Sequence, residues 1–522
     1  MTGATPFPNS APFLRYTSSV ATFYVENFGC RATQADGASI ERQFEQQGFD
    51  PAAAPSEAEL VVLNTCTVTA AADHDARAAI RRIHRQNPNA QIIVTGCYAQ
   101  RAPEEIAAIR GVTKVIGNSH KHLLAEIGLR TSDLGPQPIQ ATDNFVPLSA
   151  LMPEARSQKP SFRQPATGDP RPLFPASEVR GPRSEVWVSD IFAHTELLAA
   201  PVFDAANERT RPNLKIQDGC NNRCSFCVIP YVRGKSRSLT TDRILEEVNT
   251  LVAAGYQEVV LSGINLGRWG RDLTREAQVE SGDQRPPTSH RHPKFENLIR
   301  LILDHTAVPK LRISSVEPMD WTDDLISLMA TSPRIAKHAH VPMQSGSDTV
   351  LRRMHRKYRP KHYVDRIMKI RAAMPDAAIG ADVMVGFPGE TDREFEETRR
   401  MVDDLPFTYL HVFTYSARPG TPAASMPNQV HERIARERNR ILRDLASAKK
   451  LAFMQSHLGK SIEAITLKSN SCGASAPARE NHTEALTHNY LKLRLEGHHA
   501  PNRWLTAQVT NVDKGALIAT AV

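Results

Sequence analysis

At 522 residues the chain exceeds one ordinary domain, and its 41% hydrophobic content is enough to fill several cores. Lys and Arg outnumber Asp and Glu for a net charge of +8, a balance that suits a polyanionic partner such as nucleic acid. Seven cysteines are too few for a disulfide scaffold at this length and point to metal or redox use. No window approaches the roughly 18 apolar residues of a membrane span. The start, MTGATPFPNSAPFLRY, lacks the cationic and apolar regions of a signal peptide. A soluble, cytoplasmic protein with no membrane partner is expected.

Residues 1–20 read as a disordered N-terminus. From 21 to 130 the pattern alternates between strand and helix. ATFYVENF, LVVLNT and QIIVTG are β-rich runs, separated by ATQADGASIERQFEQQG and the stretch after Thr69, with APEEIAAI following. Such alternation predicts a doubly wound parallel sheet with covering helices. Cys30, Cys66 and Cys97 lie 36 and 31 residues apart, about one βα repeat each, at or just past the ends of the three strands. In a parallel sheet those positions converge on one edge, in the crevice where α/β folds bind ligands. Three thiolates there would hold an iron–sulfur cluster with one iron open; the alternative is three buried cysteines acting as small apolar residues.

Residues 131–206 differ sharply. Ten prolines fall between Pro136 and Pro182, mixed with Ser, Gly, Gln and Arg, so a linker or disordered insertion is expected, with a short ordered piece at SEVWVSDIF. A longer βα array spans 207–457, with strands NLKIQ, EVVLSG, KLRISSV, HAHVPM, AIGADVMVG and YLHVFTY and a long last helix from about Glu432 to His457. Six units predict a partial (β/α)6 barrel rather than a closed eight-stranded one. Residues 271–293 interrupt it as a surface loop. The remainder, 458–522, reads as a small β domain with strands at SIEAITLK, EALTHNYLKLRLEG and RWLTAQVTN; Cys472, in a turn-rich stretch between the first two, is expected to be incidental.

Directly after the first barrel strand comes Cys220-Asn-Asn-Arg-Cys224-Ser-Phe-Cys227, in the loop where such barrels place their sites. Three thiolates at this spacing can fill three iron positions of a cubane and leave the fourth open. A structural zinc site normally closes with four protein ligands, and here the fourth would have to come from far away. The motif resembles that of the radical S-adenosylmethionine superfamily. The resemblance implies that the open iron chelates the amino and carboxylate groups of S-adenosylmethionine and that Phe226 packs near its adenine.

Phe28-Gly29-Cys30, Asn64-Thr65-Cys66-Thr67-Val68-Thr69 and Thr95-Gly96-Cys97-Tyr98 further resemble the three cluster motifs of the methylthiotransferase family within that superfamily. Thr67-Val68-Thr69 looks like the branch acting on N6-threonylcarbamoyladenosine at tRNA position 37. The isopentenyladenosine branch usually has Ser-Ile-Arg there, and the ribosomal-protein branch Gly-Phe-Ile. The resemblance implies two [4Fe-4S] clusters, one on Cys30, Cys66 and Cys97 and one on Cys220, Cys224 and Cys227. It implies cofactor contacts at Ser262 and Gly263, where the family meets the methionine end; Glu317, Gln344 and Asp382, polar groups at the ends of barrel strands, are expected to contact cofactor or substrate. Partners would be a tRNA anticodon loop and a flavodoxin-type electron donor.

The chemistry so implied is the removal of hydrogen from the unactivated carbon 2 of adenine by a deoxyadenosyl radical. The reduced cluster at Cys220, Cys224 and Cys227 generates that radical from S-adenosylmethionine; the other cluster supplies sulfur, and a second S-adenosylmethionine the methyl group. The target base would be extruded or unpaired. The C-terminal module resembles the TRAM-like RNA-binding barrel of these enzymes. RRMHRKYRPK, Arg352 to Lys361, surrounds Tyr358 with cations and could stack on an unpaired base, and Arg433, Arg436, Arg440 and Arg443 line the last helix; each is weighed against a merely solvated face. The competing reading from another class is a non-catalytic RNA-binding protein with structural metal sites.

Overall fold

The computed structural model describes residues 21–129, 184–193, 210–273, 292–468 and 482–522. The expectations for residues 1–20, most of the proline-rich stretch, the core of the 271–293 loop and Cys472 lie outside them.

The N-terminal unit runs β1 (Thr22–Asn27), α1 (Arg31–Gln46), β2 (Asp50–Pro51), β3 (Leu60–Thr65), α2 (Ala70–Gln86), β4 (Gln91–Gly96), α3 (Cys97–Arg101), α4 (Pro103–Ala107), β5 (Val112–Gly117), α5 (Leu124–Leu129) and β6 (Glu185–Trp187). The strands form one parallel sheet in the order β2-β1-β3-β4-β5-β6. LVVLNT is buried along its whole length because both faces are covered. Leu60 and Val62 pack with Ile40 and Phe44 of α1, while Val61 and Leu63 pack with Ala76, Ile80 and Ile83 of α2. Doubly wound packing is therefore present as expected. VTKVIG, unanticipated, is β5, and the ordered piece at SEVWVSDIF supplies β6 at the sheet edge.

The barrel follows as β7 (Asn213–Asp218), α6 (Ile229–Arg233), β8 (Arg237–Ser238), α7 (Thr241–Ala253), β9 (Glu258–Gly263), α8 (Phe295–His305), β10 (Lys310–Ile313), α9 (Asp323–Thr331), β11 (His338–His340), α10 (Asp348–Arg353), α11 (Pro360–Ala373), β12 (Ala378–Val385), α12 (Asp392–Asp404), β13 (Tyr409–Thr414) and α13 (Glu432–Gln455). Sheets β10-β9-β7-β8 and β11-β12-β13 are joined by parallel bridges at Leu311–Ile335 and Ser315–His340. Six parallel strands thus stand in sequence order, in an open arc with β8 added antiparallel beside β7. Alternation sends Leu214 and Ile216 of β7 outward into the helix-covered core, which leaves Asn213, Lys215 and Gln217 facing inward. Helix α1 of the N-terminal unit lies against β7 and β9, and Asn213 Nδ2 donates to the Arg31 carbonyl at 2.9 Å.

The C-terminal strands β14 (Ser461–Thr466), β15 (His482–Thr487), β16 (Lys492–Glu496), β17 (Trp504–Asp513) and β18 (Ala516–Ala521) close into a small barrel. EALTHNYLKLRLEG is two strands rather than one, reversed at a turn where Tyr490 takes φ +70°. This module sits at the strand-start rim of the larger barrel. Arg312 Nη1 donates to the His488 carbonyl at 3.1 Å, and Lys310 Nζ reaches Glu463 at 3.0 Å and lies 4.9 Å over the Trp504 ring. Among the described residues no helix is long and apolar enough to cross a membrane.

Candidate functional site

Cys30 stands as the N-cap of α1, Cys66 follows β3, and Cys97 opens α3, so three βα junctions deliver three thiols to one end of the sheet. Glycine makes this approach possible. Gly29, at φ +100°, lies so close to Cys66 that an added Cβ would stand 2.6 Å from the Cys66 Cβ. Gly96, at φ +99°, would collide with the Thr65 carbonyl at 2.3 Å. Cys66 and Cys97 are buried and Cys30 is exposed. Burial, reinforced by the neighbouring Cys97, pushes the Cys66 thiol up to about 12. Binding a metal there must therefore release protons. Asn118 Nδ2 approaches Cys97 Sγ at 3.6 Å while donating to the Val232 carbonyl at 2.7 Å.

The second triad lies on the loop between β7 and α6. Cys220 Sγ receives the Asn222 backbone N–H at 3.4 Å and Asn265 Nδ2 at 3.6 Å. Cys224 Sγ receives Arg356 Nη1 at 3.3 Å. Cys227 is half-buried, and its thiol is pushed up to about 12, first by desolvation and then by Cys224. N–H donors aimed at sulfur favour the thiolate form and tune clusters bound to it.

Of the expected cofactor contacts, Phe226 meets Phe387 edge-on with ring centres 6.5 Å apart. Ser262 has a buried hydroxyl with no hydrogen-bond partner, and Gly263 lies where a Cβ would stand 3.0 Å from Gln217. Glu317 is ion-paired to Arg356, and through it to Cys224; burial pushes its carboxyl up against the lowering pull of that guanidinium. Gln344 and Asp382 stand together but on another flank, with Gln344 N donating to the Asp382 carbonyl at 2.8 Å.

The stacking role expected of Tyr358 is overturned. Its ring is 1% exposed and its hydroxyl donates to the Pro342 and Met343 carbonyls at 3.0 and 2.7 Å. Within the same run, Arg356 turns inward to the cysteine loop. Arg436 and Arg440 on α13 are exposed and paired with Glu432, Glu437 and Asp444 along their own helix, as on an ordinary solvated face.

The two triads meet at a junction that no spacing in the sequence foretells. Cys97 packs against Val228 and Val232, the residues that follow Cys227. Beside them Asp36 of α1 accepts from Lys121 at 3.0 Å, from Arg233 at 2.9 Å and from Lys215. Asp218 accepts from Lys215 and Arg233 at 3.0 Å. Burial alone would raise the Asp36 carboxyl, but Arg233, Lys121 and Lys215 hold it well below the usual carboxylate range. On the opposite side Arg418, beyond β13, donates to Thr67 Oγ1 at 2.9 Å and to Asp73. Thr67 thus anchors the barrel to the Cys66 loop, while Thr69 caps α2 by accepting from Ala72 N at 3.2 Å. Replacing Asp36 by Ala should destabilise the chain by about 3–5 kcal/mol, because three cations lose a fully buried counter-charge. Urea unfolding followed by near-ultraviolet circular dichroism measures it; a change within about 1 kcal/mol would mean that the network relaxes.

Residues 22–117 match the uncharacterized protein family UPF0004, and residues 214–402 match the Radical SAM superfamily. The threonylcarbamoyladenosine tRNA methylthiotransferase of Bacillus subtilis is 34% identical over 483 residues, spanning 92% of this chain and 91% of that protein. The protein of the same name from Aquifex aeolicus is 31% identical over 91% of this chain and 96% of its own length. The tRNA-2-methylthio-N(6)-dimethylallyladenosine synthase of Acidothermus cellulolyticus is 31% identical over 96% of this chain and 85% of its own length.

Proposed function

Since the chain belongs to the radical S-adenosylmethionine tRNA methylthiotransferases, we propose that it methylthiolates carbon 2 of N6-threonylcarbamoyladenosine at position 37, in the anticodon loop. Cys220, Cys224 and Cys227 would hold the [4Fe-4S] cluster that binds S-adenosylmethionine, and Cys30, Cys66 and Cys97 a second one. A flavodoxin-type reductant would supply electrons, and the C-terminal barrel would hold RNA. The observation that supports this reading is the junction itself: the segment after Cys227 packs directly on Cys97, which brings the loops of the two triads together.

When bound, the clusters and S-adenosylmethionine supply the radical and sulfur chemistry that an unactivated adenine C–H requires. The chain's own residues prepare the place. Lys121, Lys215 and Arg233 outnumber Asp36 and Asp218 in a fully buried network beside Cys97, and the surplus positive charge favours an anionic thiolate-bound group there. Asn265 and Arg356 direct N–H groups at Cys220 and Cys224, and the unpartnered Ser262 hydroxyl is free to meet the cofactor's polar end.

The choice of threonylcarbamoyladenosine rests on Thr67-Val68-Thr69 and on the names of several relatives. The dimethylallyladenosine synthases among the relatives favour a second reading, methylthiolation of isopentenyladenosine. Nucleoside mass spectrometry of tRNA from a strain lacking the gene separates them. Methylthio-threonylcarbamoyladenosine should vanish while threonylcarbamoyladenosine accumulates. Its persistence, with loss of the isopentenyl derivative instead, would transfer the assignment to the second reading.

A further inference from the structure

The inner face of the barrel carries another chemistry-bearing cluster, separate from both cysteine triads. His340 of β11, Asp382 of β12 and His411 of β13 each bring a ligand atom within 4.8 Å of the other two. They face inward because their neighbours Ala339, Ala381 and Val383 belong to the outer core, with Leu410 and Val412 packed against it. Pairing of Asp382 with His411, and of His340 with Gly380, sets them side by side.

Stacked rings continue the cluster in both directions. Tyr409 lies 5.9 Å from His340 and 5.3 Å from His411, and His338 Nε2 meets the Tyr409 hydroxyl at 2.7 Å. The His338 ring in turn lies tilted 4.6 Å from that of Tyr490, whose hydroxyl accepts from Arg31, the residue after Cys30. In the other direction Phe413, 48% exposed, stands 6.5 Å beyond His411. The backbone carbonyl of Asp382 accepts from the N–H groups of Met343 and Gln344, which ties β12 to the turn after β11.

Its hydrogen-bonding capacity is unspent. His340 Nε2 is buried, 3.4 Å from Asp382 Oδ1, and makes no hydrogen bond. The Asp382 side chain is 27% exposed, and His411 is open. A cluster serving only the fold would be expected to satisfy these groups internally.

The geometry points to His340, Asp382 and His411 as the subsite that reads the substituent on N6 of the target adenine, built for a polar, hydrogen-bonding substituent and against a hydrocarbon one. This inference rests on the reading of the chain as modifying an N6-substituted adenine. Phe413 offers a flat apolar surface for the purine. Asp382 accepts from a ureido N–H or a hydroxyl, and the two imidazoles donate to a carboxylate or carbonyl. A branched hydrocarbon in the same place would leave all three groups desolvated and unpaired. Sites built to hydrogen-bond a substrate reject analogues lacking the partner groups by about 10⁴–10⁵-fold.

The test uses the enzyme reconstituted with both clusters and two anticodon stem–loops, one carrying threonylcarbamoyladenosine and one isopentenyladenosine. The wild type should prefer the first by roughly 10²-fold or more in kcat/KM for methylthio product. His411→Leu and the isosteric Asp382→Asn should each cut that preference by at least about tenfold, and His411→Leu should weaken stem–loop binding selectively for the first RNA. Taking the ratio removes any common effect on cofactor handling or folding. A preserved ratio in both variants overturns the inference and leaves the proposed substrate standing. A wild type that turns over only the isopentenyl RNA overturns both. A stoichiometric divalent ion bound outside the clusters and lost in both variants would overturn the inference by making the trio a metal site.

Discussion

A Cys224→Ala enzyme is expected to form no deoxyadenosine from S-adenosylmethionine under reducing conditions, a fall to background. Cys224 sits in the middle of the three-thiol loop, and its sulfur takes the N–H of Arg356, which also holds Glu317. Removing the sulfur removes one of three anchors and leaves that buried ion pair facing a gap. Two remaining thiols cannot present a cubane with a single open iron. Chromatography of the reaction mixture, beside iron analysis expected to show a loss of about four irons per chain, reports the outcome. Clear deoxyadenosine production by the purified variant would sink the assignment of Cys220, Cys224 and Cys227.

Replacing Cys30, Cys66 and Cys97 together by Ala is expected to give a different signature. The variant should bind about half the wild-type iron, still cleave S-adenosylmethionine, and make no methylthio product from tRNA bearing threonylcarbamoyladenosine. The physical basis is that the two triads have their own supports: these thiols hang from the N-terminal sheet, while the Cys220–Cys227 loop is held by β7, α6 and Arg356. Were the three cysteines only buried apolar residues, the loss of Cys66 and Cys97 would cost packing energy at their buried sites. Iron content would then be unchanged, and product would still form. Full iron together with residual methylthio nucleoside in one preparation would reject a second cluster and, with it, the proposed activity.

Much of the architecture was legible because its signals are local. LVVLNT and QIIVTG read as strands since double-sided burial demands unbroken apolar runs, and each cysteine follows its strand within the same βα unit. The hairpin of the C-terminal barrel was read as one strand because its turn, His488 to Leu491, contains neither Gly nor Pro and places Tyr490 in a left-handed conformation. The burial of Tyr358 is illegible in sequence for a related reason. A run of cations says nothing about which side of the chain is covered, and here Arg356 and Tyr358 are drawn inward by Glu317, Cys224 and two carbonyls. Least legible were contacts between units. Asp36 meets Arg233 at a separation of 197 residues and Thr67 meets Arg418 at 351, distances over which periodicity and motif spacing carry no information. The His340, Asp382 and His411 trio was hidden differently, since it depends on register between neighbouring strands rather than on any one segment.

The bond from Arg31 to Tyr490 spans 459 residues. A ribosome adding about 5–20 residues per second needs roughly 20–90 s to make that much chain. During synthesis, therefore, the wall beside Cys30 stays unfinished until almost the last module has emerged. Cys30, made before the other five cysteines of the two triads, waits for Tyr490 to receive its full surroundings, and the order of translation leaves its thiol open to delivery or damage over that interval.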